Sequence, residues 1–135
     1  MLHAWLKLPT HKGWIVTAAV SGAIAVIFGA FAAHGIDAAT APGMKAREWL
    51  QTASRYETVH ALGMLAITAL APRLKKSLAA AALLLFLVGS VLFPGALYGL
   101  ALGGPRWLGA VVPVGGLAFI AGWLSFALAA VNRTS

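Results

Sequence analysis

Residues 14–33 run for twenty positions without a charged side chain. Twenty helical residues rise about 30 Å, the thickness of a bilayer's hydrocarbon layer, so this stretch alone steers the chain toward a membrane. Three more apolar stretches follow at about 52–71, 77–102 and 107–131, punctuated by the loop at 36–43, by Pro72 and by the Gly103-Gly104-Pro105 turn. The expected architecture is all-α: a membrane-embedded four-helix bundle of four transmembrane helices with short loops, a single integral membrane domain over residues 1–135. Composition agrees, with 61% hydrophobic and 10% charged residues and a mean hydropathy of +0.88, more apolar surface than a soluble core can use. Ala30-Phe31-Ala32 resembles a cleavage signal, but the apolar run exceeds the roughly 7–15 residues of a signal-peptide core, so it is expected to remain as the first span.

Four crossings put the N-terminus, the second connection and the C-terminus on one side, with Lys7, Lys12, Arg73, Lys75, Lys76 and Arg133. The other side holds Lys45, Arg47, Arg55 and Arg106. Because Lys and Arg near span ends favour the cytoplasm, both termini are expected there. This reading also accounts for the net charge of +7. The basic residues are scattered over short connections with no aromatic-basic stripe, so nucleic acid is not an expected partner. The absence of cysteine excludes disulfides, thiolate ligands and thiol nucleophiles. Trp14, Trp49 and Trp107 fall near span ends, where indole favours the headgroup layer. Ala46, Trp49, Leu50 and Ala53 follow helical spacing and predict an interfacial helix, or a solvated extension, running into the second span.

Lipid-immersed helices associate by close backbone approach over small residues. Gly22 and Gly29 in the first span, Gly95 and Gly99 in the third, and Gly115 and Gly122 in the fourth are the expected packing positions, with an oligomer contact as the alternative. The bilayer is the partner these features imply. A homo-oligomer or a larger membrane complex is a further expectation.

An ionisable residue within a span points to a functional site by default. Tyr56, Glu57 and His60 head the apolar part of the second span at helical spacing and share one face. Counting depth along straight helices places them in the outer half, level with His34 and Tyr98. A polar pocket opening outward and lined by these five residues is the expected ligand-binding site, for a small ligand, a lipid headgroup or an ion. The plainer alternative is that Glu57 and His60 satisfy each other and only orient helices. Pro94 and Pro113 predict interrupted helices facing each other at the same depth, as at transporter sites, or kinks repaired by packing. Glu57-x-x-His60 has the spacing of carboxylate-bridged di-iron bundles, but such sites need paired motifs and more carboxylates than Asp37 and Glu48 supply. No cofactor is expected, and no nucleophile elbow, phosphate loop or zinc-protease motif suggests an enzyme.

Four segments, GAFAAHG (29–35), YETVHAL (56–62), GSVLFPGALY (89–98) and PVGGLAFIAGW (113–123), together resemble the YgdD-type family of small bacterial inner-membrane proteins of unknown function, which has a mitochondrial relative in animals. The resemblance spans nearly the whole chain from the first span onward. It implies a four-span inner-membrane protein and brings no activity, cofactor or catalytic residue with it. Two departures matter: Glu57 stands where the family pattern implies Gln, and Pro94-Gly95-Ala96 where it implies Ser-Gly-Ser. The first shifts weight from a carboxylate toward His34, Tyr56, His60 and Tyr98. Three functions follow as expectations: binding or passage of a small ligand, a non-catalytic subunit or assembly factor, and a metal- or proton-linked site at Glu57 and His60.

Overall fold

The computed structural model describes residues 11–133; Lys7, counted above in the charge asymmetry, lies outside them. The described residues form five α-helices and no strand: α1 (His11–His34), α2 (Ala41–Leu70), α3 (Lys76–Leu92), α4 (Pro94–Ala101) and α5 (Leu108–Val131), with a 3-10 turn at Ala71–Arg73. Three segments, His11–His34, Lys76–Ala101 and Leu108–Val131, are long and apolar enough to cross a membrane.

In α1 the small residues turn inward and the branched ones outward. Ala18, Ser21, Ala25 and Ala32 are buried, while Val16, Val20, Val26 and Ile27 are exposed. A soluble helix would reverse this, but where lipid solvates Val and Ile as well as protein does, small side chains bring the backbones together. The stripe packs on α2 in antiparallel register: the Ser54 hydroxyl donates to the Ala25 carbonyl at 2.7 Å, and a Cβ on Gly29 would lie 2.8 Å from that hydroxyl oxygen. Thr40 starts α2 by accepting from the Gly43 N–H at 3.1 Å, with proline in the first turn where no N–H is missed. The expected interfacial helix and second span are thus one continuous helix, which ends where Pro72 enters the 3-10 turn.

Pro94 breaks the third apolar stretch as its chemistry requires. Lacking an N–H, it cannot bond Ser90, and the chain turns at Phe93 from α3 into α4. Gly115 of α5 meets this turn: a Cβ there would approach the Leu92 carbonyl carbon to 2.7 Å and the Phe93 nitrogen more closely still. Lower on the same antiparallel pair, phenylalanines fill glycine sockets, Phe119 over Gly89 and Phe86 over Gly122 and Gly63. The helices are fastened at their far ends by Lys75 N–H to the Ala129 carbonyl at 2.9 Å. The Gly103 turn takes φ +89, a conformation suited to glycine.

Several expectations change. Pro113 lies inside continuous α5, which goes without one bond, to the Gly109 carbonyl, and does not break there; the two prolines do not make facing breaks. Trp14 is 4% exposed and packs into the core with Met64 and Ile67, so it is not a headgroup-layer residue, whereas Trp107 is exposed. Gly29, Gly99, Gly115 and Gly122 meet neighbours, but nothing lies within 4 Å of a Cβ built on Gly22, and Gly95 meets only the Ser90 carbonyl across the turn from α3, at 3.7 Å. A small residue permits close approach without compelling it.

These sockets predict a sharp contrast in thermal melts of detergent-purified protein. Gly115→Ala, which drives a methyl into backbone, should cost about 1–3 kcal/mol. Gly22→Ala should be neutral or stabilise by up to about 1 kcal/mol through helix propensity. Equal effects at the two positions would contradict the packing described.

Candidate functional site

Along α2 the buried face reads Leu50, Ala53, Glu57, His60, Met64 and Ile67. Leu50 and Ala53 belong to one apolar cluster with Leu97 and Tyr98, and Met64 and Ile67 to another with Trp14, Phe86 and Phe119. Glu57 and His60 therefore form a polar layer between two apolar ones. They do not bond each other. Three residues apart on a helix, they are offset by about 60°, enough to face different neighbours.

Glu57 faces α1 and α4. One carboxyl oxygen accepts from the Ser21 hydroxyl at 2.9 Å and the other from the Tyr98 hydroxyl at 2.7 Å; both bonds are buried. The Tyr98 ring is stacked on Phe28 at 3.9 Å between centroids, which holds its hydroxyl in place. Among the described residues Lys45 pairs with Glu48, Arg55 is exposed, and the Glu57 carboxyl group is held by neutral donors alone.

His60 faces α3 and α5. Its Nδ1 lies 2.7 Å from the Tyr56 carbonyl, which can only accept, so Nδ1 carries the proton. Its Nε2 then accepts from the Trp123 indole N–H at 3.0 Å, since indole only donates. The ring stacks on Phe119 at 3.5 Å and meets Phe86 edge-on at 5.0 Å. This is a neutral imidazole with both nitrogens used, and no lone pair remains for a metal. Among the described residues no three His, Cys, Asp or Glu side chains converge as a metal site requires.

The five residues expected to line one pocket are divided. Glu57 and Tyr98 meet directly. His60 lies on the other side of the polar layer. Tyr56 is 45% exposed and lies against Phe93 and Phe119. His34 is exposed at the end of α1, thirteen residues beyond Ser21, or about 20 Å along the helix. Because Ser21 is near the midpoint of α1 and Trp123 is past the midpoint of α5, the polar layer sits deeper than straight-helix counting placed it. Ser21 and Trp123 were not singled out from sequence. The available signal was Ser21's place beside Gly22 on the small-residue face of the first span, and an indole far from either end of the fourth.

Comparison with known proteins agrees with this membrane architecture. A family model described as "Protein of unknown function (DUF423)" matches residues 28–116. UPF0382 membrane protein YwdK of Bacillus subtilis (strain 168) is 38% identical over 123 residues, covering 90% of this chain and 98% of its own. UPF0382 inner membrane protein YgdD of Escherichia coli (strain K12) is 34% identical over 123 residues, covering 91% and 92%. A UPF0382 membrane protein of Haemophilus influenzae is 34% identical over 122 residues, covering 90% and 96%. No solved structure matches. With the family model matching about two-thirds of its length and these relatives about nine-tenths of it, the chain belongs to the DUF423 family of UPF0382 membrane proteins.

Proposed function

We propose that this protein is a non-enzymatic inner-membrane bundle that crosses the bilayer four times, with α2 as the fourth crossing and both termini in the cytoplasm. In this reading it binds or passes a small cation, the proton included, at Glu57. The observation that carries the proposal is a carboxyl group near mid-bundle held, among the described residues, by two hydroxyls and no basic side chain. Such a group is costly in lipid unless something neutralises it. A carboxylate has about four acceptor positions, and Ser21 and Tyr98 fill two of them. An arriving proton takes one of the remaining positions and adds an O–H that needs an acceptor of its own, which the Ser21 or Tyr98 hydroxyl supplies by reversing its role. Occupancy of Glu57 is thereby linked to the contacts of α2 with α1 and α4.

Several features support the fourth crossing. At 30 residues, α2 reaches about 45 Å, and it packs antiparallel along α1 through Ser54 and Glu57. The asymmetry of Lys and Arg supports the orientation. Within this reading Glu57 and Tyr98 hold the ligand, His60 clamps α2 to α3 and α5, and Tyr56 and His34 lie outside the site. Glu57 is also where the chain departs from the Gln implied by the family pattern, so the cation-binding property would be this chain's own.

A second reading, a subunit that packs against a partner or another copy, is favoured by Gly22, where nothing among the described residues lies within 4 Å of an added Cβ. The cysteine-free sequence permits a clean test. Gly22→Cys is expected to cross-link between copies in native membranes and Ile27→Cys, on another face of α1, is not. Absence of a cross-link at position 22 removes the homo-oligomer.

For the Glu57 proposal, the variants separate hydrogen bonding from charge. Glu57→Gln offers an acceptor to Tyr98 and a donor to Ser21, and should stay within about 1 kcal/mol of wild type. Glu57→Leu strands both hydroxyls and should cost about 1–3 kcal/mol. Infrared difference spectra in lipid, taken across a change of pH or of sodium concentration, should show a carboxyl-band change in wild type that is missing in Glu57→Gln. A spectrum that Glu57→Gln leaves unchanged would overturn the proposal.

A further inference from the structure

The connection from α2 to α3 and the end of α5 meet at one end of the bundle. The Lys75 N–H bond to the Ala129 carbonyl fastens the first turn of α3 to the last turns of α5 and brings Arg133 beside Lys75 and Lys76. Between them lies a cavity of about 470 Å³ lined by Pro72, Leu74, Lys75, Lys76, Ser77 and Arg133. Three of these side chains are cations and none is acidic. The chain's three acids are Asp37, Glu48 and Glu57, and all belong to the first connection or to α2, away from this end. Among the described residues no acidic side chain lies beside this positive charge.

Topology accounts for cations near span ends, but it does not require two distant segments to line one open hollow with them. Other features of the same cavity favour an anion. Lys75 occupies the N-cap of α3 with no side-chain hydrogen bond to the helix, and the first turn contains no acid, so the opening N–H groups have no partner of that kind. Ser77 adds a hydroxyl. Pro72 and Leu74 supply an apolar part of the lining, and their neighbours in the chain and on α5, Leu70 and Val131, are exposed apolar residues suited to lipid.

We propose that this cavity holds the phosphodiester headgroup of an anionic phospholipid, with its acyl chains along the outer surfaces of α3 and α5. The inference rests on the membrane placement of those two helices and is independent of the role given to Glu57.

Native mass spectrometry of the detergent-purified protein, mixed with equal amounts of phosphatidylglycerol and phosphatidylcholine, tests it. Wild type should retain phosphatidylglycerol in preference, on the order of tenfold. Lys76→Gln with Arg133→Gln should abolish the preference, while Lys76→Arg with Arg133→Lys should keep it. Lys45→Gln with Arg106→Gln, which removes the same charge from the first turns of α2 and from the connection before α5, should also keep it. Equal retention of the two lipids by wild type, or equal loss in both neutralised pairs, would overturn the site. Displacement of the lipid by inorganic phosphate would overturn the lipid as its occupant.

Discussion

The arrangement depends on one polar layer in α2, where Glu57 and His60 bond to opposite sides of the bundle. Glu57 takes hydroxyls from α1 and α4, and His60 takes the indole of α5 while its ring lies against Phe119 and Phe86. Apolar packing between lipid-immersed helices has little hydrophobic drive and fixes register weakly. Hydrogen bonds that must be made somewhere fix it better, because the alternative is an unsatisfied group in a medium without water. The two residues therefore set the height and rotation of α2 against all of its neighbours.

Around this layer, the rest of the bundle is close approach. The α3–α5 pair interlocks through phenylalanine on one helix and glycine on the other, alternating in direction, and its upper end is set by the turn at Pro94 resting on Gly115. That turn has a consequence for the site. It starts α4 on a new course, and Tyr98 on α4 reaches Glu57 while stacked on Phe28.

Much of this was legible in the sequence where the signal is local. Uncharged run length marks α1, α3 with α4, and α5. Pro94 and Pro72 mark a break and an end. The small-residue period in α1 marks its buried face, and the shared burial of Glu57 and His60 follows from their spacing. What was not legible is which neighbour each buried group meets. Periodicity assigns a face, while the partner depends on the rotation of the other helix, so Ser21 and Trp123 passed unremarked. Depth counting assumed straight helices and short side chains; the turn at Phe93 and the reach of Tyr98 defeated both, and His34 was grouped with residues about 20 Å away. Trp14 shows a similar limit. An indole near a span end suits the headgroup layer, but a gap beside Ala18 and Met64 suits it too.

The central claim is that α2, despite its polar residues, traverses the membrane and places Glu57 inside it. Single cysteines in this cysteine-free chain test that most directly, through labelling by a membrane-impermeant maleimide in spheroplasts. Ala39→Cys, before α2, should label from outside; Ser77→Cys, after it, should label only once the membrane is permeabilised. Labelling of both positions from the same side would contradict the account.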